Sequence, residues 1–201
     1  MVDARKVRSR LYRKVHGKPA QVFEAEDGGV VIEAYAFDFS PGEDEDLGWV
    51  LFTNGMSDRC MPLDEAAAEG FARGEVKRRA ELVWYVRDLD RRWVDELRWL
   101  AEYPFLDETW LGHGHTIAMP DPIVPGTVLT AFLLLGPILR PHQRIAEALS
   151  VAGDPVELLV VHLLTTQEHA LKKREGVNAL LDLFDARAYP LVLDPQRASL
   201  V

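Results

Sequence analysis

Long apolar runs, in which positions on both faces are apolar, predict strands at the centre of a sheet. They occupy residues 47–52, 82–86, 129–135 and 158–164. A strand of this kind is covered on both sides, so we expect further layers above and below the sheet. Segments 21–26 and 30–37 flank Asp27-Gly28-Gly29 and predict a hairpin, because Asp-Gly supplies the positive φ that tight turns need.

The N-terminal segment predicts a basic helix. Val7, Leu11 and Val15 are spaced four apart and form one narrow apolar stripe, and the residues between them include Arg8, Arg10, Arg13 and Lys14. The helix either docks this stripe on the body of the protein, leaving its charges in solvent, or acts as a basic arm for nucleic acid. We favour docking, since the whole chain lacks a basic footprint. Residues 1–20 are assigned as a basic helix or arm, and residues 21–201 as the main domain.

Capping residues predict two further helices. Asp90 is a suitable N-cap for a helix that Pro104 is expected to end. The apolar residues of this helix share one face, which holds Trp93, Val94, Leu97, Leu100 and Ala101, whereas Trp99 points elsewhere. An off-face tryptophan either makes a second contact with the body or marks a partner surface. Thr165 and Glu168 fit a capping box, and the helix that follows is expected to break at Gly176.

Charge is distributed unevenly along the chain. The formal net charge is −9, and because residues 1–18 carry +6, the rest carries −15. Within the rest, a Pro/Gly loop holds four consecutive acidic residues, Glu43, Asp44, Glu45 and Asp46. An acidic surface repels nucleic-acid phosphates and favours a basic protein partner, which makes this run a candidate steering loop. The simpler interpretation is that the negative charge keeps the protein soluble.

Compartment signals predict a cytoplasmic protein that does not enter a membrane. Cys60 is the single cysteine, which precludes an internal disulfide framework and suits a reducing compartment. The N-terminus begins with charged residues and develops no apolar region of the secretory kind. The most apolar stretch, residues 123–139, is broken by two prolines and two glycines, so it is not expected to span a bilayer.

The histidines offer the strongest case for catalysis. His113 and His115 are two residues apart, and in an extended segment both imidazoles would point the same way. A third ligand from His162, His142 or an acidic side chain would complete a zinc site, and hence a small metal-dependent hydrolase. No HExxH, CxxC, phosphate-loop or nucleophile-elbow motif accompanies the pair. We therefore predict no catalytic residue, no metal and no cofactor, and keep the hydrolase as the alternative.

Ordered blocks along the chain resemble the signature of the suppressor-of-fused family. They are Thr53-Asn54-Gly55-Met56-Ser57-Asp58, Met61-Pro62, Ala80-Glu81-Leu82-Val83, Tyr103-Pro104-Phe105, Gly112-His113-Gly114-His115-Thr116-Ile117, Leu163-Leu164-Thr165-Thr166-Gln167-Glu168 and Asp194-Pro195-Gln196-Arg197. The resemblance covers roughly residues 28–197. It implies a single compact α+β domain with a central mixed β-sheet flanked by helices, which agrees with the alternation of strands and helices along the chain.

The resemblance also implies a binding module and not an enzyme. Animal members sequester Gli-type transcription factors, a short peptide of which adds to the domain as a strand, and many bacterial members are proposed to be immunity proteins that neutralise a toxin. We therefore predict a non-catalytic module that binds a protein. The leading role is an immunity-type inhibitor of a toxin domain, and the alternative is a regulator that binds a transcription factor. The motif-based candidates for partner binding are Asn54, Gly55, Met56, Asp58, Trp99, Trp110, His113, His115 and Thr116. Turn chemistry for Asn54-Gly55 and a core position for Met56 are the simpler interpretations.

Overall fold

The computed structural model describes residues 3–25, 28–40 and 46–201. The helices in these ranges are α1 (Ala4–His16), α2 (Glu65–Ala72), α3 (Arg91–Leu106), α4 (Arg140–Ala148) and α5 (Thr166–Ala186). The strands are β1 (Gln21–Phe23), β2 (Val31–Asp38), β3 (Leu47–Asn54), β4 (Ala80–Val86), β5 (Thr116–Ala118), β6 (Leu129–Leu135), β7 (Ser150–Val151), β8 (Asp154–Pro155) and β9 (Glu157–Thr165). A 3₁₀ turn, Met56–Asp58, follows β3.

Seven of these strands form one mixed sheet in the order β1-β2-β3-β4-β9-β6-β5. The first four make an antiparallel meander, β9 lies parallel to β4, and β6 and β5 complete the sheet by antiparallel pairing. Strands β7 and β8 form a separate two-stranded ribbon. The predicted α+β domain with a central mixed sheet is confirmed.

Helices cover both faces of the sheet, as the apolar runs predicted. On one face, Leu97 of α3 shares a core with Trp84 of β4. On the other face, α1 and α4 contribute Tyr12 and Ile145 to a second core, and α5 contributes Leu180 to a third. The central strands are buried on both sides because each face has its own helical layer.

The capping predictions are confirmed. The Asp90 side chain accepts a hydrogen bond from the backbone N–H of Arg92 at the start of α3. Thr165 and Glu168 form the capping box of α5, each side chain accepting a backbone N–H of the other residue. Gly176 has non-helical backbone angles, with φ 89°, and divides α5 into two helical segments.

Pro104 does not end α3, contrary to the prediction. The helix continues to Leu106, and Pro104 is buried within its last turn. A proline removes only its own N–H, and the backbone N–H of Asp107 still donates to the Tyr103 carbonyl to close that turn.

Helix α1 docks on the sheet, and of the predicted stripe Leu11 packs against the second core. Its buried residues are Arg8 and Tyr12, whereas Val15 is 37% exposed and lines an open groove beside α4 together with Leu11. Tyr12 stacks on Phe52 with ring centroids 4.4 Å apart, and its hydroxyl donates to a backbone carbonyl of β3. An aromatic residue and an arginine with partners in the sheet thus supply the buried contacts of α1, in addition to the aliphatic contact of Leu11 that spacing indicated.

A chain of three side chains joins the end of α1 to α4 and β4. The Tyr85 hydroxyl lies 2.6 Å from His142 Nδ1, and His142 Nε2 lies 3.0 Å from His16 Nε2. His16 Nδ1 is buried and has no hydrogen-bond partner among the described residues. Burial lowers the pKa of His142 to about 3 and that of His16 to about 4, so both rings are neutral near pH 7.

We expect the free energy of unfolding to decrease as the pH falls from about 6.5 towards 4. The unfolded chain binds protons on His16 and His142 near their ordinary pKa of about 6.5, whereas the folded chain does not until the pH is much lower. Each histidine contributes a slope of up to about 1.4 kcal/mol per pH unit in this window. Urea unfolding at pH 7, 6 and 5 measures the effect.

The test variant is His16→Phe, which replaces a half-buried histidine whose Nδ1 atom is buried. We expect His16→Phe to reduce the slope of the unfolding free energy against pH between pH 6.5 and 5 by up to about 1.4 kcal/mol per pH unit, the contribution of one proton. An unaltered slope in His16→Phe would show that this residue is not held neutral by the fold.

Candidate functional site

The sheet ends on one side at β5, a strand of three residues. Its inner side pairs with β6, where Thr116, Ile117 and Ala118 face Leu133, Phe132 and Ala131, respectively. Within the described ranges, no strand pairs with its outer side. A strand edge of this kind presents backbone N–H and C=O groups that can pair with another chain.

The hydrogen-bond alternation shows which backbone groups of β5 face outwards. The backbone N–H of Met119 donates to the Thr130 carbonyl at 2.8 Å. Because antiparallel pairs alternate along a ladder, Ile117 and Phe132 form the next hydrogen-bonded pair. Thr116 and Ala118 therefore direct their N–H and C=O groups away from β6, towards the open edge.

A groove of ≈ 260 Å³ lies along this edge. It is lined by Tyr103, Thr109, Trp110, Leu111, His115, Thr116, Ile117 and Lys172. Lys172 comes from α5, and its Nζ lies 3.4 Å from Thr116 Oγ1. The groove thus combines an open strand edge, aromatic walls, hydroxyls and one ammonium group.

Trp110 and His115 form one unit in the wall of the groove. Their rings meet edge to face with centroids 4.2 Å apart, and His115 Nδ1 lies 3.2 Å from the Trp110 carbonyl oxygen. Because a carbonyl only accepts, Nδ1 carries the proton and Nε2 of the neutral ring is an acceptor. Burial lowers the pKa of His115, and nearby Lys172 adds to this effect, so the ring is neutral near pH 7.

The structure separates His113 from His115, so the prediction that they point the same way is wrong. Gly114 between them has φ 80°, in the left-handed region, and the segment is a turn and not an extended strand. His113 Nδ1 accepts the backbone N–H of Gly136 and borders a different cleft, which His162 also lines. His142 is the other histidine proposed as a ligand. Its two ring nitrogens already lie within hydrogen-bond distance of Tyr85 and His16 in the interior. Among the described residues, no three His, Cys, Asp or Glu side chains are grouped to hold a metal ion.

The Thr53–Asp58 block is built around a buried ion pair. The Arg8 guanidinium is 1% exposed and Glu81 is fully buried, with Arg8 Nε 3.1 Å from Glu81 Oε1. Glu81 also accepts the backbone N–H groups of Gly55 and Ser57 and the hydroxyls of Thr53 and Ser57. Although burial opposes its charge, Glu81 and Asp58 raise the pKa of Arg8 above its ordinary value.

Asn54 extends this network to β2. Its side-chain oxygen accepts Arg8 Nε at 2.8 Å, and its amide nitrogen donates to Glu33 at 2.7 Å. Glu33 is buried and also accepts the hydroxyls of Ser9 and Tyr35. Each buried polar group named here has a protein partner, which is the condition under which burying it is tolerated.

The motif-based candidates therefore lie in two different environments. Asn54, Gly55 and Met56 are buried and have internal roles, while Asp58 is partly exposed and pairs with Arg5 and Arg8. Trp110, His115 and Thr116 meet in the groove at β5, and His113 is exposed beside it.

Trp99 packs against the body of the protein. It is half-buried and stacks on Phe132, with ring centroids 5.9 Å apart, and it also contacts Tyr103 at the base of the groove. Its off-face position thus corresponds to a second contact with the core.

Of the four residues of the acidic run, the structure describes Asp46 alone. Glu43, Asp44 and Glu45 lie outside the described residues. Asp46 is paired with Arg87 of the segment after β4.

Sequence reasoning missed Arg8, Glu81 and Lys172. A lone carboxylate inside the apolar strand β4 was a signal for Glu81, because buried carboxylates require partners. Arg8 looked like one solvated charge among several, and its partners lie about 50 residues away in the chain. Lys172 carried no signal, since its position beside β5 depends on how α5 crosses the sheet.

In the part of the chain that the structure describes, no helix is long and apolar enough to cross a membrane.

Comparison with known proteins identifies both a family and a fold. The family described as Suppressor of fused protein (SUFU) matches residues 30–198. A suppressor of fused homologue from Neisseria gonorrhoeae FA 1090 is similar, with a TM-score of 0.71, 17% identity, and coverage of 99% of this chain and 97% of that chain. No curated protein sequence matches the chain.

Two further solved structures share the fold. The Sufu–Fu complex aligns with a TM-score of 0.73 and 14% identity over 98% of this chain and 92% of that chain. Drosophila Suppressor of Fused aligns with a TM-score of 0.64 and 16% identity over 96% of this chain and 50% of that chain.

Loss of the Arg8 side chain should destabilise the fold strongly. We expect Arg8→Met to lower the free energy of unfolding by roughly 3–5 kcal/mol, because it leaves the Glu81 carboxylate buried without its cation. The matched control Arg10→Met changes an exposed arginine of the same helix and should stay within about 0.5 kcal/mol. Urea unfolding at pH 7 measures both variants, and equal effects would contradict a special role for Arg8.

Proposed function

The chain belongs to the suppressor of fused family, and from that premise we propose that it is a non-catalytic interaction module that binds a partner protein along the outer edge of β5. The observation that carries this proposal is the combination of an open strand edge and an adjacent groove. An extended segment added there gains main-chain hydrogen bonds for affinity and side-chain contacts in the groove for specificity.

The groove and its aromatic wall support this edge over the opposite one. Thr116 and Ala118 offer outward backbone groups, and the packed rings of Trp110 and His115 form a wall beside them. At the other end of the sheet, β1 is also an edge strand, but the groove described above adjoins β5. One similar structure is a complex of Sufu with Fu, which agrees with protein binding in a relative of the same fold.

The buried motif residues support the module from inside. Asn54, Gly55 and Met56 fix the turn after β3, so we assign them to the integrity of the fold and not to partner contact. The candidates that we retain for contact at the β5 edge are Trp110, His115 and Thr116, which line the groove. His113 borders a different cleft, and Asp58 lies in the turn after β3, away from this edge.

We propose that the biological role is that of an immunity-type inhibitor, which binds and neutralises a toxin domain in the cytoplasm. The net charge of −15 outside residues 1–18 supports a basic partner, because opposite charge accelerates encounter. A regulator that binds a transcription factor uses the same edge and is the alternative. Identification of the bound partner separates the two roles.

Blocking the edge should abolish partner capture. In Ala118→Pro the outward N–H is lost, and proline is tolerated at an edge strand whose N–H faces solvent. Ala118→Ser keeps the N–H and is the matched control at the same exposed position. We expect the tagged wild type and Ala118→Ser to retain one stoichiometric protein from a lysate of the cells that make it, and Ala118→Pro to lose at least nine-tenths of that protein.

Circular dichroism and thermal unfolding establish that Ala118→Pro remains folded. Equal retention by the folded Ala118→Pro variant would contradict strand addition at β5. If the tagged protein retains a small-molecule substrate and no protein, the chain would act as an enzyme, and that result would contradict the interaction module itself.

Reversing the acidic run should slow association. With Glu43, Asp44, Glu45 and Asp46 all changed to Lys, we expect the association rate with a basic partner to fall about tenfold at low salt and to approach the wild-type rate at high salt. Stopped-flow mixing over a salt series measures this. The same number of reversals at the exposed residues Glu65, Glu69, Glu147 and Asp182 is the control for net charge. Equal rates for the two variants would contradict local steering.

A further inference from the structure

Lys172 is a half-buried cation without an acidic partner in the described part of the chain. Its Nζ donates to Thr116 Oγ1 at 3.4 Å, and no described carboxylate lies within 4.0 Å of it. Burial lowers the pKa of Lys172, and the neighbouring charge of Lys173 lowers it further. The fold therefore provides no compensating negative charge at this point.

The buried and half-buried arginines in the described part of the chain are compensated. Arg8 pairs with Asp58 and Glu81, Arg79 pairs with Asp154, and Arg197 pairs with Glu168. A partly desolvated charge that lacks such a partner gains more from a ligand of opposite charge than a solvated one does. Lys172 thus differs from these arginines, because its charge has no such partner among the described residues and can bind an anionic group of a ligand.

Within the described ranges, no carboxylate lines the groove that Lys172 borders. Two acidic residues lie near its wall, and each is already engaged with a residue of that wall. Asp64 accepts Trp110 Nε1 at 3.4 Å and the backbone N–H that caps α2. Asp107 faces Tyr103, whose pKa is raised by burial and by a hydrogen bond to Asp107. Among the described residues that line the groove, Lys172 therefore carries the one formal charge, and it is positive on a protein of acidic overall charge.

The register of the sheet places this cation opposite one position of an added strand. Thr116 lies on the α5 face, because its partner Leu133 belongs to the core beneath α5, whereas Ile117 and Phe132 face α3. Side chains of an added strand alternate in the same way. The residue of the added strand that pairs directly with Thr116 has its Cβ about 5 Å from the Thr116 Cβ, on the same face of the sheet. The side chain of that residue therefore reaches the Lys172 ammonium group, which lies beside Thr116.

We propose that the groove selects a partner segment with a glutamate or aspartate opposite Thr116, whose carboxylate binds Lys172 Nζ and the Thr116 hydroxyl. This inference rests on the proposed strand addition at β5, and it specifies the chemistry of the segment that is bound. A partner that is basic overall meets the requirement with one acidic side chain in its docking strand. Overall charge then governs encounter, and Lys172 governs the register of the bound strand.

A displayed library of random twelve-residue peptides provides the test without a known partner. Peptides are selected on the wild type and depleted on Ala118→Pro, so that only binders that need the β5 edge remain. We expect these peptides to share one acidic position. Isothermal titration calorimetry then measures the affinity of two ligands, the best peptide and its analogue in which that acid is changed to the corresponding amide. Each ligand is titrated into the wild type, Lys172→Met and Lys173→Met.

For the acidic peptide, Lys172→Met should weaken binding roughly 10- to 100-fold, the range expected for a charge-assisted hydrogen bond. For the amide analogue, Lys172→Met should have no effect. Lys173→Met changes the same charge at the exposed neighbouring position and should leave both affinities within about twofold. Lys172→Arg should preserve most of the affinity, because it keeps the charge.

The outcomes separate this inference from the proposed function. Peptides that need the β5 edge but share no acidic position, or that bind Lys172→Met as well as the wild type, would overturn the inference and leave strand addition intact. Peptides that bind Ala118→Pro as strongly as the wild type, or a library that yields no binder, would count against strand addition at β5 and against the inference together.

Discussion

The buried ion pair between Arg8 and Glu81 is the constraint on which much of the structure depends. Glu81 lies in β4 at the middle of the sheet and has no access to solvent, so its charge is tolerated only with a cation and several donors around it. Arg8 supplies the cation from α1, and the turn after β3 supplies the donors. One carboxylate thereby holds together an N-terminal helix, a central strand and the turn that contains the family motif.

This arrangement explains why the most recognisable motif is not itself the binding surface. The Asn54 side chain divides its hydrogen bonds between Arg8 and Glu33, and Met56 is fully buried beneath the turn. These residues fix the middle of the sheet. The groove lies at the far end of the same sheet, beyond β9 and β6, where β5 leaves an edge open.

Local patterns predicted the elements but not their long-range relations. Apolar runs gave the central strands, and the capping box at Thr165 and the break at Gly176 followed from residue types alone. Strand order did not follow, because runs that are apolar on both faces contain no information about neighbours. The burial of Arg8 could not be foreseen from α1, since its partners come from β3, β4 and the following turn. His113 and His115 diverge because Gly114 adopts a positive φ, which an extended reading of the segment did not include.

Hydrogen–deuterium exchange of the protein with and without its captured partner tests strand addition at β5 most directly. The account predicts that the amides of Thr116 and Ala118 become protected on binding, because their outward N–H groups then donate to the added strand. The amides of β1 at the opposite edge should exchange at an unchanged rate. Protection confined to β1 or to the α1–α4 groove, with none at Thr116 and Ala118, would contradict the account.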